Sequence, residues 1–186
     1  MLAIRELGPD AVFAIDGLTR IMNQTNHPVA SNLATLALSF SDRPEALPPL
    51  MNAITNLHAP DLRYSAIDGV GIMGTNALPA VPLLFSCTKD PDRRVAERAA
   101  FVLGRLKLEP GLVVPALISN AVTNRSASCV TILFALGQYG TNAQPAVPLL
   151  LKALHDQDEN VRSAATNALH SVAPNLLTRA SFSPHY

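Results

Sequence analysis

The sequence predicts an all-α fold: a right-handed α-solenoid of about five helix pairs, one pair per repeat of about 33 residues. Three observations predict it. A long string recurs, columns of like residues stand at one fixed spacing, and no stretch shows sustained period-two alternation. Gly74-Thr-Asn-Ala-Leu-Pro-Ala-Val-Pro-Leu-Leu84 returns as Gly140-Thr-Asn-Ala-Gln-Pro-Ala-Val-Pro-Leu-Leu150. Half of that offset also works, and it sets the period: Pro49, Pro82, Pro115 and Pro148 are evenly spaced by it, as are Gly71, Gly104 and Gly137. One apolar column reads Leu18, Met51, Leu84, Leu117, Leu150, and another Val29, Leu62, Val95, Ser128, Val161. On this reading no insertion or deletion interrupts residues 8 to 172. A fixed period of this length marks a stacked repeat architecture. Frequent alanine and the missing alternation disfavour strands.

The units fall at 8–40, 41–73, 74–106, 107–139 and 140–172, within a single domain of residues 1–186. Each reads as two helices. In the third, Asn76 is expected to cap the first helix, as Asp10 and Asn142 would in their own units, because a short side-chain oxygen accepts from free first-turn N–H groups. Val81, Leu84, Phe85 and Thr88 follow at helical spacing. Pro82, lacking an N–H, belongs in the first turn, and the helix ends near Lys89. Asp92 is expected to cap the second helix, with Asp158 as its counterpart, and Val95, Ala99, Val102, Leu103 and Leu106 form its apolar face. Neither helix buries its face alone, so neighbouring units must stack. Residues 1–7 align with the last half of a second helix and are expected to pack as a partial unit. Residues 173–186 lose the pattern and are expected to be a loosely held tail.

Composition excludes several classes. Hydrophobic residues make up 48% and charged residues 15%, too apolar for a disordered chain. The 14 basic and 14 acidic residues cancel, so the basic excess of a duplex nucleic-acid binder is missing. With no tryptophan, 6 Phe and 3 Tyr, small aliphatic residues must fill the core. Cys87 and Cys129 form no C-x-x-C pair, which suits two thiols in a reducing compartment and a cytoplasmic location. Arg5 and Glu6 interrupt the first apolar stretch, so no signal peptide is expected. Apolar runs such as Cys129 to Leu136 fall short of the ~20 residues that span a bilayer.

No chemistry-bearing motif stands out. None of His27, His58, His155, His170 and His185 is followed by Glu, so the H-E-x-x-H zinc motif is missing, and the histidines occupy different repeat columns. No glycine-rich phosphate loop occurs. Gly71, Gly104 and Gly137 lie near the ends of second helices and read as close-packing or termination positions. Ser126, Ser128 and Cys129 have no base at motif spacing. The acid pairs Asp90/Asp92 and Asp156/Asp158 precede second helices and read as capping groups. No catalytic, metal or cofactor-binding residue is assigned, and the expectation is that the chain is not an enzyme.

Residues Ala143 to Val172 read A-x-P-A-V-P-L-L-L-K-A-L-x-D-x-D-x-x-V-R-x-x-A-x-x-A-L from Ala143 to Leu169. This pattern resembles the HEAT-repeat family, in particular its short phycobilisome-lyase type. Residues 77–106 match nearly as well, with Ala96 in place of the arginine. Arg63 and Arg162 keep that arginine; Ala30, Ala96 and Cys129 do not. The resemblance implies a solenoid whose second helices line a concave surface. Its members serve as scaffolds, adaptors, chromophore-lyase subunits and occasionally enzymes. The His-Glu pairs of the iron hydroxylases on this fold do not occur here.

Two surface features suggest where a partner would bind. Arg93, Arg94, Arg98, Arg105 and Lys107 form a basic cluster, with Arg94, Arg98 and Arg105 on one helix face. It reads as a solvated face partly neutralised by Asp90, Asp92 and Glu97, or as a contact for a small anion or acidic peptide. The second feature is the non-core stripe of the second helices. In the third unit it is Arg94, Glu97, Arg98, Phe101 and Arg105. One unit earlier it is Asp61, Tyr64, Ser65, Asp68 and Ile72, and one unit later Ala127, Val130, Thr131, Phe134 and Gln138. Large apolar and aromatic groups are unexpected on a merely solvated stripe. The candidate partner-binding residues are therefore Tyr64, Arg94, Arg98, Phe101, Arg105, Val130 and Phe134. The reading is a non-enzymatic scaffold that binds a protein or peptide of unspecified identity. The alternative is an enzyme or enzyme subunit on the same fold, of chromophore-lyase or nucleic-acid-repair type.

Overall fold

The computed structural model describes residues 11–24, 26–40, 43–123 and 128–176, and every regular element among them is helical. The fold is an all-α solenoid of helix pairs. The chain divides into two compact units, residues 1–99 and 100–186. The first holds α1 (Ala11–Met22), α2 (Pro28–Ser39), α3 (Leu47–Ile54), α4 (Pro60–Ile72), α5 (Val81–Cys87) and the first half of α6 (Arg93–Leu106). The second holds the rest of α6, then α7 (Pro110–Thr123), α8 (Ser128–Gln138), α9 (Val147–Ala153) and α10 (Glu159–Val172). Odd-numbered helices are the first of each pair and even-numbered helices the second. Expectations for residues 1–7, for the tail beyond 176 and for an Asp10 cap lie outside the described residues.

Proline placement explains most helix starts. Pro28 and Pro60 open α2 and α4, and Pro48, Pro82 and Pro148 sit in the first turns of α3, α5 and α9. The missing N–H costs nothing there, because first-turn N–H groups have no partner within the helix. Asn76 and Asn142 do not cap these helices. They lie inside 3₁₀ segments, Gly74–Ala80 and Gly140–Ala146, and α5 and α9 start without a side-chain cap. The acids before the second helices do cap. Asp92 accepts from the Arg94 N–H at 2.9 Å and Asp158 from the Asn160 N–H at 2.8 Å. The Asp92 and Asp158 N–H groups in turn donate to Asp90 and Asp156 at 2.8 and 3.0 Å, so each acid pair builds one turn.

The glycines divide into two kinds. Gly74 and Gly140 have φ of 57° and 56° and end the preceding helices in the left-handed region. Gly104 and Gly137 serve close packing. A Cβ on Gly104 would lie 2.7 Å from Cα of Ala135, and one on Gly137 would lie 3.0 Å from Cα of Ala168.

Burial corrects the expected register in the first two pairs. From α4 onward the period holds: Leu62, Ala66 and Val70 are followed by Val95, Ala99 and Leu103, then by Val161, Ala165 and Leu169, all buried. In α2, however, the buried residues are Ser31, Ala34, Thr35, Leu38 and Ser39. Their counterparts in α4 are Arg63, Ala66, Ile67, Val70 and Gly71, one position short of a full period away. Val29, expected in the core, is 72% exposed. In α3 the buried residues are Leu47, Leu50, Ala53 and Ile54, while Met51 is half-buried. Their counterparts Val81, Leu84, Cys87 and Thr88 lie one position beyond a full period, so Pro48, not Pro49, matches Pro82. The loop geometry agrees. Arg63 Nη1 donates to the carbonyls of Asn56 and Leu57, seven and six residues back, whereas Arg162 Nη1 reaches those of Asp156 and Gln157, six and five back. The link between α3 and α4 is one residue longer, and a one-residue slip turns a helix face by about 100°.

Candidate functional site

The stripe residues fall in both units. In the first unit, the Tyr64 ring lies under the Arg98 guanidinium, 5.2 Å from ring centroid to Cζ. Arg98 also pairs with Asp68 on α4. Arg94 pairs with Asp61 at 3.0 Å and with Asp92 at 3.2 Å. The hydrogen bond from Arg94 is the main reason the Asp92 carboxyl is held below its usual range. These partners make the stripe of α4 and the start of α6 an interlocked set of acids and bases. Arg94 and Arg98 are thus largely neutralised by α4, which weakens the anion or acidic-peptide reading of the cluster. Arg105 is exposed further along α6, in the second unit.

In the second unit, Phe101 and Phe134 stack with centroids 5.6 Å apart and planes 6° from parallel. Such a pair contributes about 0.5–1.5 kcal/mol beyond its buried area. Phe101 is half-buried, but Phe134 stays 42% exposed. The outer side of Phe134 opens on a groove of about 390 Å³ between α8 and α10. Val130, Phe134, Ala164 and Ala168 supply apolar lining, and Gln138, Asn160, Ser163, Asn167 and Ser171 supply amides and hydroxyls. Among the described residues no charged side chain lines it. The close approach of Gly137 to Ala168 sets the groove's floor. Asp158, capping α10, orients the helix that carries its far wall.

The structure therefore brings together Tyr64 with Arg98, and Phe101 with Phe134, beside Val130. It also adds the α10 residues that the sequence reading omits. Asn160, Ser163, Ala164, Asn167 and Ser171 stand one full period after Ala127, Val130, Thr131, Phe134 and Gln138. One further step along the same columns finds them.

Neither thiol is a ready nucleophile. Burial pushes Cys87 up to about 11, with Asp90 adding to the rise and Arg63 opposing it. Cys129 is raised as well, chiefly by burial and then by Asp156. Among the described residues no group of three His, Cys, Asp or Glu side chains gathers as a metal site would require, and no helix is long and apolar enough to cross a membrane.

Two family models match the sequence: HEAT repeats over residues 15–104 and a HEAT repeat over residues 146–176. Among curated proteins no relative matches the chain. A solved structure with the same fold is the complex of CpcE and CpcF of phycocyanin lyase from Nostoc sp.. One of its chains is 26% identical, with a TM-score of 0.68. The match covers 88% of this chain and 66% of that one, so this chain spans just under two thirds of its length. This likeness corrects the expectation that the chain is not an enzyme. A similar fold at 26% identity forms part of a lyase, so the lack of a short catalytic motif does not remove the chain from enzyme chemistry. The repeat matches on both sides of the chain, the helix pairs and this neighbour agree, and the chain belongs to the HEAT-repeat family.

Proposed function

We propose that the chain is a protein-binding HEAT-repeat subunit of an enzyme-related assembly. It receives an uncharged, partly apolar peptide segment of its partner in the groove between α8 and α10. The observation that carries this reading is Phe134: 42% exposed, backed by Phe101, and set at the mouth of a groove without charge. Asn160 and Asn167 stand seven residues apart on α10, two turns along one face. Their amides offer donors and acceptors to a peptide backbone, and Ser163 and Ser171 add hydroxyls. An aromatic anchor flanked by amides suits a buried contact with a polar rim. Tyr64, Arg94, Arg98 and Arg105 are then secondary contacts, since α4 already pairs Arg94 and Arg98. The likeness to a chain from a two-component lyase complex supports both the partner and the link to an enzyme. Two free cysteines suit a reducing cytoplasm.

The test is capture of partners from cells of the source organism, with a photo-crosslinking residue at Phe134 and mass-spectrometric readout. Phe101→Ala with Phe134→Ala is expected to weaken capture by at least ~30-fold, the hot-spot threshold of about 2 kcal/mol, while the lost stack and the half-buried Phe101 lower the melting temperature only moderately. A double variant that melts far below the parent while its folded fraction still captures the same partner would assign both rings to the core.

A further inference from the structure

The corrected register exposes a surface that the strict repeat columns hide. With α2 shifted by one residue, its non-core stripe consists of Val29, Asn32, Leu33, Leu36 and, just past the helix end, Phe40. The equivalent positions are Asp61, Tyr64, Ser65, Asp68 and Ile72 in α4, and Arg94, Glu97, Arg98, Phe101 and Arg105 in α6. In α4 and α6 two of these positions pair by charge across the helices, Asp61 with Arg94 and Asp68 with Arg98. In α2 Asn32, on the side toward α4, accepts from the Ser65 hydroxyl at 2.7 Å, and the other four, Val29, Leu33, Leu36 and Phe40, are apolar and exposed: 72%, 62%, 39% and 39%. Their spacing of four, three and four residues is that of a helix-packing seam. Apolar groups scattered singly on a surface need no explanation, but a contiguous row along one helix marks an interaction face.

We propose that this face of α2 binds a second copy of the chain, with the two α2 helices crossing antiparallel about a two-fold axis. Three observations select a copy of itself. The first is the absence of charge: Pro28–Ser39 contains no acidic or basic residue, so the face meets no like charge when it meets itself. The second is the charge of the whole chain, which is zero with a pI of about 7.0, so two copies do not repel near neutral pH. The third is the order of sizes along the seam. Antiparallel pairing sets the small Val29 against the large Phe40 of the other copy, and Leu33 against Leu36, so the row is complementary to its own reverse. A two-fold interface requires this property, since each residue must meet its counterpart from the other copy. Four side chains cover less than the ~800 Å² per partner of a standard interface, so the dimer is weak and dependent on concentration.

The surface lies in residues 1–99 and is independent of the α8–α10 groove. Its test is analytical ultracentrifugation of the full chain over a range of roughly 1 µM to 1 mM, which spans weak associations. The parent is expected to shift from monomer to dimer. The shift should persist or strengthen in roughly 1 M salt, where the Debye length falls to about 3 Å, because no ion pair holds the dimer. Leu33→Glu with Leu36→Glu should leave a monomer throughout, since it would bury four unpaired carboxylates at the axis. Glutamate is a good helix former and both sites are exposed, so an unchanged circular-dichroism spectrum and melting temperature are expected. A second probe is Leu33→Cys with Leu36→Cys, which should trap the dimer by a disulfide between position 33 of one copy and 36 of the other. A parent that stays monomeric at the highest concentration overturns the proposal. A dimer that survives the glutamates, or dissolves in salt, also overturns it.

Discussion

Arg63 and Arg162 hold the same position in their repeats, one in each compact unit, and differ in what they meet. Both donate through Nη1 to two carbonyls of the loop that precedes their helix. Arg63 adds a two-pronged ion pair to Asp90, with Nη2 at 2.7 Å and Nε at 3.1 Å, and both side chains are almost fully buried. Among the described residues no carboxylate pairs with Arg162. The arginine's common duty is therefore to fasten its own interhelical loop. At Arg63 the guanidinium also reaches the next helix pair, through Asp90, 27 residues later. Where Cys129 fills this position, Asp156 stands at that same distance along the chain, and the Cys129 thiol is raised partly by its charge. The position is preserved in geometry without the ion pair.

The largest test of this comparison is Arg63→Met. It removes the guanidinium but leaves the Asp90 carboxylate and two carbonyls in place. An unpaired buried charge should cost about 3–5 kcal/mol, read by urea unfolding. Adding Asp90→Asn should recover a good part of that loss, since the uncompensated charge is then gone while an amide oxygen can still accept from the Asp92 N–H. If Arg63→Met alone costs under about 1 kcal/mol, the ion pair contributes no more than the exposed loop bonds do.

Arg162→Met is the smaller counterpart. It removes two hydrogen bonds to exposed carbonyls that water can then satisfy, so the expected loss is about 1 kcal/mol. Equal losses at 63 and 162 would erase the distinction between the two sites.

The difference between the two ends of the chain also explains what the sequence can and cannot disclose. The pairs α5–α6 and α9–α10 are legible because they share a nearly identical string, and their proline positions, apolar faces and second-helix caps follow it. The first two pairs mislead because two slips of opposite sign nearly cancel. The adjacent Pro48 and Pro49 can each hold the first-turn place, which masks the extra residue between α3 and α5, while α2 stands one residue nearer to α4 than a full period. The average period places Val29 in the core and hides the apolar row on α2. The stripe does locate the Phe101–Phe134 stack, because aromatic residues at equal columns of adjacent second helices must meet. It cannot locate the ion pairs of Arg94 and Arg98, since nothing local says that Asp61 and Asp68 point toward them. Nor does it foresee Tyr139, whose hydroxyl donates toward the carbonyls of Leu103 and Leu108 at 3.1 and 2.9 Å; its columns in earlier units hold Leu106 and Met73.

The smallest effect is expected at Lys107, where one repeat position can be compared three ways. Gly74, Lys107 and Gly140 share a column and all end a second helix with positive φ, 54° for the lysine. A side chain in this region brings Cβ against the backbone, at a cost of roughly 1–2 kcal/mol. Glycine removes the clash but has more freedom to lose on folding, which offsets part of the gain. Lys107→Gly is thus expected to stabilise the chain by about 0.5–1 kcal/mol, a rise in the midpoint of urea unfolding with an unchanged slope. The turn itself should survive, because the Lys107 N–H donates to Leu103 and Tyr139 fastens Leu108 from outside. A neutral or destabilising Lys107→Gly would mean that the lysine side chain forms a compensating contact that offsets the strain. The three equivalent positions would then differ in their packing rather than in their backbone alone.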